Sequence, residues 1–303
     1  MRTRAGIGLM AAVLAGVLAP ADPLGAAENK KLLIITADAG DYILCAGGTI
    51  AGMIEQGASA HLVRVTNDDK DSWNLSPEET AQRTRQQSER AAKILGIAKV
   101  TSLGYRAGEL GGVSPTELRD RLMFYIRLDR PDVLIIPNPY AHYVEVLDRF
   151  YTGQAGEEAR RAAALENFQP PFAIAGLSTH ITPELYYYAQ PVDPRRREPE
   201  STPTFAPQPK QIDIGAQFDK KVRAAQALET IHFSLAMRIK ERIESTGRRL
   251  PLLDTVDRAA VNKLVEINVG KLAQIAAEGT SLRRAEEFLY AGVEYQIPAK
   301  YRK

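Results

Sequence analysis

The chain has 303 residues, 45% of them hydrophobic and 25% charged, with a formal net charge of +2. That length suffices for one large domain or two small ones with an ample core. The near-neutral balance, with no basic run long enough to track a phosphate backbone, excludes a nucleic-acid partner, and a single cysteine, Cys45 in the apolar stretch "ILCAGG", excludes a disulfide framework.

Residues 1–27 stand apart. Arg2 and Arg4 precede the apolar run "AGIGLMAAVLAGVLA", and "GAA" at Gly25 to Ala27 supplies the small residues a signal peptidase needs. The pattern predicts a secretory signal peptide, because the apolar run is too short to span a bilayer and no stop-transfer pattern follows. The expected product is a secreted or periplasmic protein, residues 28–303, with no transmembrane segment after signal cleavage.

Strand and helix signals then alternate. "KLLIITA" reads as a strand, and "GGTIAGMIEQG" as a helix stopped at Gly57. "ASAHLVRVTN" is a second strand. The long amphipathic helix after it is announced by Ser76, Pro77 and Glu79, an N-cap, a first-turn proline and a capping-box acid. "KVTSLGY", another Ser-Pro-capped helix from Ser114, and the strand "PDVLIIPNP" complete the first half. Residues 191–211 are crowded with prolines and predict an extended loop. "DKKVRAAQALETIHFSLAMRIKERIES" predicts one long helix, and Asp254 to Lys303 reads as helical pieces. The βαβα alternation gives the fold class: α/β, a single domain built on a Rossmann-like, mostly parallel sheet with helices on both faces.

In such a sheet, ligands bind beyond the carboxyl ends of the strands. Three loops qualify there: Ala37 to Tyr42, Asn67 to Trp73 and Asn138 to Arg149. The first offers only Asp38, Gly40 and Asp41, with no histidine and no evident nucleophile. The second, "NDDKDSW", lacks the spacing of a calcium loop and reads as a solvated loop beside the crevice, with Trp73 offering a face to a sugar. Among the four histidines, His61 and His232 read as packing residues. His180 and His142 read as loop residues, His142 sharing its loop with Asp148.

The ordered set "GGTIA", "AAKILGI", "LGYRAGEL", "RPDVLIIPNP", "PELYYY", "IDI", "DKKVRAAQAL" and "AEEF" resembles the PIG-L/LmbE deacetylases over nearly the whole mature chain. The resemblance implies zinc-dependent removal of acetyl groups from N-acetylglucosamine-type substrates. It also implies a His-Pro-Asp-Asp-Glu motif where this chain has Asp38, Ala39, Gly40, Asp41 and Tyr42. Asp41 stands at the zinc-ligating aspartate, Asp38 at a zinc histidine and Gly40 at the general base. A second motif, His-Pro-Asp-His, falls on Val146, Leu147, Asp148 and Arg149, which places Val146 at the stabilising histidine and Arg149 at the third zinc ligand. Only Asp148 keeps its residue type, and the "LGY" loop contributes Arg106 to the expected substrate crevice along with Trp73.

A guanidinium does not ligate. Two carboxylates, Asp38 and Asp41, suit Mg²⁺ or Ca²⁺ better than Zn²⁺. Alternatively, Arg149 pairs with Asp38 or Asp41 where the metal would sit. Two readings follow. In the first, the chain is an exported family member without the family's zinc chemistry or any cofactor, which binds an amino sugar or other small-molecule or glycan ligand. In the second, it is a metal-dependent hydrolase with a rebuilt site, in which Asp38, Asp41 and His142 hold the metal and Asp148 serves as base.

Overall fold

The structure, a computed structural model, describes residue 27 and residues 29–143, 146–192 and 208–292. Apart from Ala27, the expected signal peptide lies outside the described residues, as does the 193–207 part of the proline-rich loop.

Seven strands form one sheet: β1 (Lys31–Thr36), β2 (Ser59–Thr66), β3 (Lys99–Tyr105), β4 (Val133–Pro137), β5 (Glu184–Tyr188), β6 (Gln208–Asp213) and β7 (Ala285–Ala291). Their order is β3-β2-β1-β4-β5-β7-β6, parallel from β3 to β5, with β7 antiparallel to both β5 and β6. The helices are α1 (Asp41–Glu55), α2 (Pro77–Leu95), α3 (Pro115–Asp129), α4 (Leu147–Ala163), α5 (Pro170–Ile174), α6 (Phe218–Gln226), α7 (Glu229–Glu244) and α8 (Arg258–Ala276).

The continuous apolar run of β1 is explained by burial on both sides. Leu32 and Ile34 enter a core built with α1, α2, α6 and α8, whereas Leu33 and Ile35 enter a second core with α3 and α4. Two-sided burial of a parallel strand needs hydrophobic residues at every position, not at alternate ones. Tyr186, Tyr187 and Tyr188 of β5 are buried for the same reason. The cap signals also hold: the Ser76 hydroxyl accepts from the Glu79 amide at 3.2 Å, and Gly96 ends α2 in the left-handed region.

Four expectations need correction. α1 begins at Asp41, not at the "GGTIA" stretch, because the Asp38 carboxylate receives the Gly40 and Asp41 amides and starts the helix early. The single long helix is two, α6 and α7, broken at Leu228. Leu228 is fully buried in the core, and the Gln87 side chain of α2 receives the Thr230 amide at 3.0 Å, capping α7 from outside. The C-terminal segment contains the strand β7, whose two neighbours in the sheet lie far away in sequence. Residues 208–211 of the proline-rich stretch belong to β6.

One buried ion pair ties the late elements to α1. Glu286 of β7 accepts from the Gly48 and Thr49 amides at 2.8 Å each and from Lys221 Nζ at 2.7 Å. Lys221 also donates to the Leu44 carbonyl at 2.8 Å. Gly48 permits this approach, since a Cβ there would lie 2.7 Å from Ile214 Cβ and 3.3 Å from Glu286 Oε1. Gly153 plays the matching part in α4: a Cβ would meet the Pro137 carbonyl at 2.6 Å. Its absence lets the second turn of α4 sit against the end of β4.

Candidate functional site

The strand order reverses at β1, which lies between β2 and β4, and the loops at that switch point meet as expected for a crevice in an open α/β sheet. A cavity of about 380 Å³ opens there, lined among others by Asp38, Asp71, Asp148, Arg149, His232 and Arg238. Gly40 and Val146 also line it, so the two positions that the family resemblance gives to a base and a stabilising histidine face the cavity without a titratable group.

Asp38 and Arg149 dominate the floor. Asp38 Oδ1 accepts from the Gly40 amide at 2.9 Å and the Asp41 amide at 2.8 Å. Asp38 Oδ2 accepts from Arg149 Nε at 2.9 Å. The same Nε lies 3.3 Å from Asp41 Oδ1, and Asp41 is completely buried. Burial alone would raise the Asp38 carboxyl, but the Arg149 charge and the two amides outweigh it and hold the group below its ordinary value. Burial likewise works against the Arg149 charge, and Asp38 and Asp41 overcome it, fixing the proton more firmly than usual.

A catalytic zinc needs three nitrogen, oxygen or sulfur ligands and an open position for water. Here the carboxylate oxygens at two family ligand positions turn to a guanidinium, and the third position is that guanidinium. Among the described residues, no group of three His, Cys, Asp or Glu side chains is arranged to hold a metal ion. His142 is exposed and does not line the cavity. The donor set does not fit zinc.

Asp148 has both oxygens engaged: Oδ2 accepts from the Gly108 amide at 2.5 Å and Oδ1 from the Leu110 amide at 3.2 Å. Burial raises its carboxyl in spite of these amides. Its position ties α4 to the loop after β3. Arg106 is exposed and donates to Asp69 Oδ2 at 3.0 Å, and Trp73 is exposed as well. Neither lines the cavity.

The acidic loop after β2 is not a solvated one. Asp68 is fully buried, and Asp69 nearly so. Asp68 accepts from the Ala39 amide at 3.2 Å, Thr66 Oγ1 at 3.2 Å and Arg64 Nη1 at 3.3 Å. Burial, with the charges of Asp38 and Asp71 nearby, pushes its carboxyl up to about 7 although Arg64 opposes the shift. Asp71 is raised to about 6, first by burial and then by Asp38. His232 is buried, and burial lowers it to about 4, leaving a neutral ring in the cavity wall. The other two histidines are structural: His61 bonds Asp129 and Thr101, and His180 bonds the Pro131 carbonyl. Asp71 lies in a loop that the sequence already places at the crevice, whereas His232 and Arg238 of α7 gave no motif signal, because the α6–α7 break and not spacing brings them there.

Residues 33–159 match the protein family described as "PIG-L: GlcNAc-PI de-N-acetylase". The chain is 30% identical over 163 residues to a diacetylchitobiose deacetylase of Thermococcus kodakarensis, a match covering 53% of this chain. It spans 60% of the length of that curated relative. Among solved structures, the N,N'-diacetylchitobiose deacetylase of Pyrococcus horikoshii shares the fold with a TM-score of 0.68 at 22% identity, over 90% of this chain and 88% of that one. A conserved protein of Thermus thermophilus shares it with a TM-score of 0.58 at 21% identity, over 86% of this chain and 94% of that one.

Proposed function

From the premise that this chain is a PIG-L/LmbE-like protein of the deacetylase family, we propose that it is an exported member whose crevice binds a glycan-type ligand without the family's zinc hydrolysis. One observation carries the reading: Arg149 Nε bridges Asp38 and Asp41 at 2.9 and 3.3 Å. A cation that cannot be deprotonated holds the two carboxylates that a metal would need. It offers no open coordination position and cannot bind and activate a water as a Lewis acid does. Gly40 and Val146 supply neither a base nor an electrophilic partner. What remains is a polar cavity in which Arg238, Lys70, Gln190 and Asn268 face the acids Asp38 and Asp71. That mixture of donors and acceptors suits the hydroxyl and amide groups of an amino sugar.

A second reading, an active hydrolase with a rebuilt site, draws on Asp71. Its raised carboxyl, beside Asp148 in the cavity wall, is suited to moving a proton near neutral pH. Elemental analysis of the purified protein, with an Asp41→Ala control, separates the two. The first reading expects no stoichiometric zinc even after zinc is supplied, no acetate release from diacetylchitobiose, and saturable binding of that sugar. Stoichiometric zinc that the Asp41→Ala variant loses, together with acetate release, would overturn it.

A further inference from the structure

A second cavity, of about 420 Å³, lies between α2 and the edge strand β3, away from the crevice. Its walls are regular. Ala81, Gln82, Arg85, Ser88 and Glu89 form one face of α2, and Val100, Ser102 and Gly104 are alternate residues of β3. A bulge opens it: Arg64 pairs with Ser102, but Thr66 pairs with Tyr105, so β3 carries one extra residue beside Arg64. Gly104 takes up the extra residue at φ +76°, and a Cβ there would meet nothing within 4 Å. The mouth is therefore open at the sheet edge.

The deep end holds Arg64, only 2% exposed, and Ser88, 1% exposed. Arg64 uses one nitrogen: Nη1 donates to Asp68 Oδ2 at 3.3 Å and to the Thr84 carbonyl at 3.4 Å. Nε is buried without a partner, and so is the Ser88 hydroxyl. Nη2 donates to no group among the described residues. Nε and Nη2 share one edge of the planar guanidinium, the edge that grips two oxygens of a carboxylate or phosphate side by side. A buried donor left without an acceptor is costly, the more so on a charged group. Arg85 and Glu89 pair with each other at 3.3 Å on exposed side chains and leave the inner charge to Arg64.

From this juxtaposition we infer that the cavity between α2 and β3 is a second binding site, one that takes a small oxyanion of the phosphate or carboxylate type on the free edge of Arg64, with Ser88 donating alongside. The site is independent of the crevice reading. Asp68 connects the two, since it accepts from both Arg64 and the Ala39 amide.

Calorimetric titration of the full chain with inorganic phosphate and, separately, with acetate, at matched ionic strength, tests it. One-to-one saturable binding of at least one anion is expected, and the tighter of the two tells phosphoryl from carboxylate. Arg64→Gln is expected to abolish it. Ser88→Ala is expected to weaken it about fivefold, the worth of one hydrogen bond, without leaving a buried charge unpaired, so it serves if the Arg64 variant does not fold. Arg238→Gln, in the crevice, is expected to leave it unchanged. Failure of both anions to saturate overturns the site, as does binding that survives Arg64→Gln, that Ser88→Ala leaves at full strength, or that is lost with Arg238→Gln.

Discussion

Arg149 Nε stands 2.9 Å from Asp38 Oδ2 across 111 positions of sequence, joining the first turn of α4 to the loop that starts α1. Removing the guanidinium leaves Asp38 and the fully buried Asp41 without their cation. Arg149→Met is therefore expected to destabilise the fold by about 3–5 kcal/mol at pH 7. The pH dependence has a definite sign. The Asp38 carboxyl is held below its ordinary value of 3.8, so its contribution is fully present above about pH 4 and is lost as pH falls through the lower folded value. In the variant only the Gly40 and Asp41 amides oppose burial, so the carboxyl rises relative to the wild type and the penalty shrinks towards pH 4. Urea melts at pH 7 and pH 4 check both; equal losses at the two pH values would refute the assignment.

The Lys221–Glu286 pair, 2.7 Å apart and 1–2% exposed on each side, makes a separate stability prediction. Lys221→Met is expected to cost about 3–5 kcal/mol, because Glu286 then stays buried and charged. The double variant Lys221→Met with Glu286→Gln is expected to be more stable than Lys221→Met alone, since the remaining amide oxygen still receives a backbone amide from α1. Gly48→Ala is expected to cost about 1–3 kcal/mol by crowding Ile214. Chemical denaturation of the three proteins tests these orderings.

Much of the architecture is legible in the sequence, and the reason is local. Ser76, Pro77 and Glu79 specify a helix start within four residues, and "KLLIIT" carries the continuous apolar signature of a strand covered on both faces. The pairing of Arg149 with Asp38 and Asp41 is likewise anticipated from those residues. The parts that were not legible depend on distant partners. Gln87 caps α7 from 143 positions away, β7 is a strand because β5 and β6 flank it, and Asp68 is buried by the turn at Ala39, not by anything in "NDDKDSW".

Asp71 and His232 titrate against each other in their effect on stability. Asp71 has a raised folded value of about 6, so the folded state binds its proton more tightly than the unfolded chain. Its favourable contribution is largest below about pH 4 and disappears as pH rises through 6. His232 is depressed to about 4 from 6.5, so stability is intact above 6.5 and falls as pH drops towards 4. Asp71→Asn is expected to steepen the loss of stability on acidification between pH 7 and pH 4, and His232→Leu to flatten it. Thermal melts across that range read both slopes; parallel profiles for wild type and variants would contradict the two shifts.

Introducing the ligands that the family resemblance implies supplies a positive control. Asp38→His with Arg149→His would set two imidazoles beside Asp41, giving the three donors that zinc requires. This double variant is expected to take up one zinc and to melt at a higher temperature with zinc than after chelation, whereas the wild-type protein is expected to respond to neither treatment. A thermal shift with zinc in the wild type of the same size would show that Arg149 does not block the position.

A guanidinium at the floor of the crevice has a consequence for biogenesis. A metal must be acquired from the surroundings and can be stripped by a competitor, but the Arg149 charge arrives with the polypeptide and cannot be exchanged. Once α4 docks against β4, that one charge offsets part of the negative charge of Asp38 and Asp41. On the proposed reading, the yield of correctly assembled protein is therefore expected to be the same when it is refolded with divalent cations and with a chelator.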